Sequence, residues 1–201
     1  MSKLIKFTYT LIAIALFAGP AIAAGHMKGG WILSAAESKV SFGSIKKGKA
    51  GEVHHFKSVS GNVAADGMAT IDIDLSSVET LADIRNERMV KFVFDAAHPK
   101  ATLKAKIDMA KIGALAAGTG TTVSVNGHLM LNGKSIPVET DMYAAHMGNG
   151  NFLVTTDSMI MLSMENAGIN AGISKLMELA KLPSIARVSP VTLRLLFTKA
   201  K

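Results

Sequence analysis

From residue 31 onward, apolar and polar positions alternate in short stretches, each closed by glycine, asparagine or aspartate. Residues 71–75 read Ile-Asp-Ile-Asp-Leu, and residues 101–107 (ATLKAKI) repeat the pattern with lysine on the polar side. Val123, Val125, Gly127, Leu129 and Leu131 share one face of a further strand, which runs into Asn132-Gly133. Both residues of an Asn-Gly pair accept a positive φ, so a tight hairpin turn is expected there, leading into a strand over 136–142. Val40-x-Phe42, residues 56–63 (with Gly61 as a bulge), residues 152–162 and residues 188–197 bring the set to eight. Side chains at period two stand on opposite faces, so each strand has one face for a core and one for water.

Two stretches depart from that period. Residues 78–91 (VETLADIRNERMVK) mix charges at helical or turn-like spacing and read as an irregular charged connection. Residues 168–182 (GINAGISKLMELAKL) place Ile173, Leu176, Met177 and Ala180 on one helical face and stop at Pro183. The expected fold class is therefore all-β with one short helix, its eight strands forming an antiparallel barrel.

Eight strands enclose a space that holds either their own side chains or one small ligand. The residues expected to line it come from the apolar face of each strand: Phe42, Phe56, Ile71, Ile73, Leu75, Leu103, Val123, Val125, Leu129, Leu131, Val191, Leu193 and Leu195. Ile160, Leu162, Leu176 and Met177 are expected to close one end. Met130, Met142, Met159 and Met161 would suit an adaptable channel, since thioethers tolerate varied shapes. Core packing explains any one of these residues equally well, so periodicity leaves open whether the barrel is hollow or solid.

Upstream of the strands, residues 1–23 carry Lys3 and Lys6, an unbroken apolar run over 11–17, the helix breaker Gly19-Pro20 and Ala21-Ile22-Ala23. This is the pattern of a cleaved secretory signal peptide. The apolar run falls well short of the roughly 20 residues that span a bilayer. Residues 24–201 then form one exported domain, expected in the periplasm.

Charged residues make up 18% of the chain and hydrophobic ones 49%, a composition that excludes disorder. Without Lys3 and Lys6, the 22 basic residues fall to 20 against 15 acidic, a net charge of about +5. The lysines are dispersed and not interleaved with aromatics, which excludes a nucleic-acid platform. The densest run, Lys46-Lys47-x-Lys49, fits a solvated loop or a weak attraction to anionic membrane surfaces. Cysteine is absent, so disulfides and thiolate chemistry are excluded. The histidines His54, His55, His98, His128 and His146 are scattered, and no nucleophile elbow, HExxH or P-loop accompanies them. An enzyme is not expected.

Several segments, taken in order, carry a family resemblance. Trp31 to Phe42 (WILSAAESKVSF), then Phe56 with Gly61, then Glu79-Thr80 resemble the opening of the YceI-like family. Glu79 to Ile107 (ETLADIRNERMVKFVFDAAHPKATLKAKI) is similar to that family's threonine, Arg-Asp-x-His-Leu, Phe-Asp and Tyr-Pro series, with Thr80, Arg85, Met89, Phe94, Asp95 and Pro99 in register. Val123 to Glu139 resembles its strand–turn–strand built on Leu-x-Leu-x-Gly. Asn86 and Arg88 replace the usual aspartate and histidine, and Met164-Glu165-Asn166-Ala167-Gly168 lacks the family's later arginine.

The resemblance implies a lipocalin-like extended barrel whose apolar channel holds a long polyisoprenoid or related amphiphile, such as a polyprenyl phosphate or an isoprenoid quinone. It implies a periplasmic binding protein, often dimeric, with no cofactor beyond the bound lipid. Arg85, at the family position, and Arg88, in place of its histidine, are the expected head-group contacts. Ion pairing with Asp83 and Glu87 is the alternative use of both.

Two readings of other classes stand beside this one. One is a periplasmic copper-handling protein: cleavage after Ala23 would expose Ala24-Gly25-His26, whose amine, amides and third-position imidazole suit Cu(II) or Ni(II), with His146-Met147 as a second soft pair. A solid barrel would instead be an assembly module without a ligand.

Overall fold

The computed structural model describes residues 30–200; the signal-peptide segment and His26 lie outside them. Twelve strand segments form a single antiparallel sheet. They are β1 (Trp31–Leu33), β2 (Lys39–Lys46), β3 (Ala50–Phe56), β4 (Val59–Val63), β5 (Met68–Asp74), β6 (Val78–Glu79), β7 (Lys100–Lys106), β8 (Gly120–Leu131), β9 (Lys134–Gly148), β10 (Asn151–Thr156), β11 (Ile160–Ser163) and β12 (Val188–Lys199).

The pairing reduces these twelve to eight. β1 and β2 both pair with β12, β1 meets β4 where β2 meets β3, and β4 meets β5 where β3 meets β6. β10 and β11 likewise share β12. Each couple is one long strand interrupted by a corner: a 3-10 turn at Ala35–Glu37, Lys57-Ser58, a second 3-10 turn at Leu75–Ser77, and residues 157–159. The eight long strands follow one another around the ring in chain order, and β12 closes it against β1, with Trp31 opposite Lys199. The alternation read from the sequence supplies the inward faces. Ala69, Ile71 and Ile73 of β5, Val123 and Val125 of β8, and Leu193, Leu195 and Phe197 of β12 are all buried. Fully burying an aliphatic side chain of this size stabilises by about 1.5–3 kcal/mol.

The hairpin at Asn132-Gly133 forms as expected, with φ of 49° and 75°. Gly61, expected to be a bulge, is not one, because the β4–β5 register runs one residue for one from Val59↔Ile73 to Val63↔Ala69. Glycine is needed there for closeness, since a Cβ would overlap the Thr70 carbonyl oxygen.

The expected helix is present as α3 (Asn170–Leu179), joined by α1 (Asp83–Phe92) and the single turn α2 (Met109–Gly113). α1 occupies the stretch read as an irregular connection. It is polar on most sides and buries only Met89, so its apolar signal is weak in sequence. α1 and α3 lie side by side over the lower end of the barrel, with Gly172 against the Phe92 carbonyl. Asn132 ties α1 to the hairpin beneath, donating to the Val93 carbonyl at 2.8 Å and accepting from the Asp95 N–H at 3.1 Å. α2, capped by the Asp108 carboxylate, covers the upper end.

Candidate functional site

Two spaces lie along the barrel, at different levels. The upper one is a cavity of about 100 Å³ with a wholly apolar surface. Seven of the residues expected to line a channel border it: Ile71, Leu103, Val123, Val125, Ile160, Leu193 and Leu195. The pleat brings them together because they sit at alternate positions of neighbouring strands. Trp31 and Phe152 meet edge to face at 5.9 Å in its upper wall, and the Trp31 indole donates to the Gly150 carbonyl at 2.8 Å.

The lower space, about 130 Å³, lies beneath α1 and α3 and mixes apolar with charged walls. Phe42 and Leu176 border it, together with Lys46, Glu52, His54, Arg85 and Arg88. The two spaces share no residue. Leu193 borders the upper one and Phe42 the lower one, and Val40 and Val191 stand opposite them in the register.

The other residues expected to line the interior pack rather than border either space. Ile73, Leu75 and Leu131 are buried in the core, and Leu75 heads the second 3-10 turn. Phe56, Leu129 and Val191 are half-buried against that core, Phe56 between Phe42 at 5.3 Å and Phe94 at 6.0 Å. Leu162 packs on the core while bordering a groove on the outer surface, and Met177 takes the Arg187 guanidinium at 3.5 Å. Of the methionines, Met142 borders the upper cavity, whereas Met130, Met159 and Met161 project to solvent.

The charged groups of the lower space form one network. Glu52 accepts from Lys46 at 2.7 Å and from Arg85 at 2.6 Å, and Arg85 donates again to the Thr80 carbonyl at 2.5 Å. Thr80, fully buried, donates its hydroxyl to Asn86 at 2.6 Å. Arg85 of α1 thus pairs with Glu52 of β3, not with Asp83 or Glu87. Burial alone would raise the Glu52 carboxyl, but the Lys46 hydrogen bond and the Arg85 and Lys46 charges outweigh it and hold it below the ordinary carboxylate range.

His54 was not expected in the site. It is 3% exposed, its Nε2 lies 3.8 Å from Glu52, and its Nδ1 has no partner among the described residues. Burial, followed by the nearby Arg85 charge, pushes the imidazole below its ordinary range, so it stands neutral beside the cavity. The same network explains Asn86, where the family has aspartate. The Asn86 carbonyl accepts from the Thr80 hydroxyl and N–H, while its amide reaches Glu79 at 3.3 Å. An aspartate would meet the Glu79 carboxylate with no proton to share.

His146 and Met147, expected as a soft metal pair, do not converge. They are neighbours on β9 and project to opposite faces. His146 stacks on Phe152 at 4.8 Å and shares a hydrogen bond with the Leu115 carbonyl, while Met147 is exposed.

The alanines were missed as well. Ala69, Ala105 and Ala144 border the upper cavity, and their lack of bulk creates it. The signal for them was available, because each occupies an inward position of an alternating strand where larger residues stand at neighbouring positions.

A family model described as YceI-like domain matches residues 31–186. Among solved structures, a polyisoprenoid binding domain from Saccharophagus degradans implicated in plant cell wall breakdown is 31% identical, with a TM-score of 0.82; the match covers 85% of this chain and 98% of that one. BcnA of Burkholderia cenocepacia is 21% identical with a TM-score of 0.64, covering 83% of this chain and 99% of its own, a likeness of fold. No curated protein matches the chain.

Proposed function

The chain belongs to the YceI-like domain family, and from that premise we propose that it is a non-enzymatic periplasmic carrier holding a long isoprenoid-type lipid inside the barrel. The observation that carries this reading is the upper cavity. A prenyl tail has no polar atoms to satisfy, and an unpaired buried polar group would cost a few kcal/mol, so a wholly apolar lining is the surface it requires. The 31% identical structure named as a polyisoprenoid binding domain supports the same class of ligand.

The polar head belongs in the lower space, where Arg88 and the Arg85–Glu52–Lys46 network meet His54. Arg88 has no ion-pair partner among the described residues, which leaves its guanidinium free for a phosphate or a quinone oxygen. Ligand sites of drug size run to about 300–1,000 Å³. The upper cavity is smaller, so the tail is accommodated by movement of adaptable side chains such as Met142.

The test is native mass spectrometry of the protein recovered from its own cell envelope, followed by organic extraction. A copurifying molecule with an isoprene-repeat mass ladder is the expected result. A protein that is ligand-free as isolated and stays so after incubation with polyprenyl phosphates and quinones overturns the reading.

A further inference from the structure

Below Met142 the barrel wall is not paired. β9 and β10 are bonded as far as Thr156↔Met142, and the Asp157 N–H still reaches the Asp141 carbonyl at 3.0 Å. Further down, among the described residues, β9 is bonded only to β8, and β11 only to β12. The direction of the free groups follows from the ladder. Leu131 and Lys134 flank the two-residue turn as a bonded pair, and bonded pairs recur at every second position. Ser135, Pro137 and Glu139 therefore turn their backbone groups away from β8, toward the gap. On the opposite edge, Met161 faces Pro190, which has no N–H to offer, so the Met161 backbone also turns to the gap.

A surface groove of about 400 Å³ occupies this break. Consecutive residues 136–141 of β9 border it, as expected of a space at a strand's edge rather than over its face. Val138, Thr140 and Ile160 border both this groove and the upper cavity. These three side chains thus stand between the apolar interior and the outer surface at a place with no backbone ladder between β9 and β11. Met159 and Met161 stand exposed on the rim.

We infer that the gap between β9 and β11 is a lateral portal through which the lipid tail enters and leaves the barrel, with Val138, Thr140 and Ile160 as its gate. The inference rests on the lipid-carrier reading and adds the route. A tail entering here breaks no strand hydrogen bond, whereas entry between any bonded pair of strands would break several, each backbone group left unpaired in the wall costing free energy. The alternative use of an open edge, addition of a partner's strand, is disfavoured by Pro137, which removes a donor from the middle of it.

The absence of cysteine permits a direct test. Glu139→Cys and Met161→Cys place one thiol on each side of the gap, to be bridged by a bismaleimide. Lys104→Cys and His128→Cys, opposite one another on the bonded β7–β8 wall, give the control bridge. The readout is quenching of Trp31, which borders the upper cavity and is the only tryptophan, by a short-tailed ubiquinone supplied in phosphatidylcholine vesicles. Bridging the gap is expected to slow both quenching and its reversal by at least about tenfold at an unchanged end point, while the control bridge leaves both rates alone. An unchanged rate across the bridged gap, or a fall in end point without a change in rate, overturns the portal and leaves carriage standing. No quenching even in the unmodified chain overturns carriage, and the portal with it.

Discussion

The Arg85 guanidinium donates to the Glu52 carboxylate at 2.6 Å, fastening α1 to β3 across the lower space. The same carboxylate holds Lys46, so one acid offsets two bases that would otherwise face the cavity together with Arg88. Glu52→Gln is expected to lower stability by about 1 kcal/mol, a modest loss because the pair is partly exposed. It is also expected to tighten the binding of a polyprenyl phosphate relative to a quinone. Urea unfolding and a two-ligand titration check both, and an unaltered preference between the ligands would refute the head-group assignment.

Acid should weaken the fold in two stages. His54 is buried neutral, its folded pKa below the ordinary 6.5, so the unfolded chain binds the proton first and stability falls as the pH drops below that value. Glu79 is pushed down from 4.5 to about 2 by the Leu81 N–H, the Asn86 amide and Lys57, so its contribution is complete above 4.5 and disappears as the pH falls toward 2. Melting curves across this range should show the first stage vanish in His54→Leu and the second shrink in Glu79→Gln. Superimposable profiles for the wild type and both variants would mean that these groups are not the titrating ones.

Gly172 sits where α3 crosses α1, and a methyl group there would overlap the Phe92 carbonyl oxygen. Gly172→Ala is expected to push the two helices apart and cost about 1–3 kcal/mol, read from the urea midpoint. Because Arg88 of α1 and Leu176 of α3 border the lower space, the same change is expected to weaken binding of a polyprenyl phosphate, read from the end point of a Trp31 quenching titration.

Ala105→Phe directs a ring into the upper cavity. Because free space receives part of it, the melting temperature should move little while affinity for a prenylated ligand falls by more than about tenfold. Retained affinity in a folded Ala105→Phe protein would place the ligand elsewhere.

The ring itself could be read from the sequence, because a half-buried wall writes itself as alternation in each strand, and eight such stretches account for the eight long strands. The corners were less visible. Residues 157–159 interrupt a strand whose apolar positions stay in phase across the break, from Phe152 and Val154 to Ile160 and Leu162, so it reads as a single run, whereas the phase shift from Phe56 to Val59 at Lys57-Ser58 was passed over. α1 was obscured for a related reason: a helix covering a barrel end presents little apolar surface, and only Met89 within it is buried. In the site, Arg85 was identifiable by its position but not by its partner, since Glu52 is 33 residues away. His54 looked like one half of a His54-His55 pair, and only the fold shows that one ring points inward while its neighbour does not.

Closure of the wall by β12 against β1 joins residues as far apart as Ile32 and Thr198, whose hydroxyl donates to the Ile32 carbonyl across 166 positions of the chain. Until that last strand exists, both the first and the seventh long strands have a raw edge and the greasy interior has no lid. Closure of the wall must therefore await β12, and such long-range pairing gives a high contact order and slow folding. Under the periplasmic assignment proposed above, that delay favours passage across the membrane, because the topology itself postpones closure of the wall until β12 has been made.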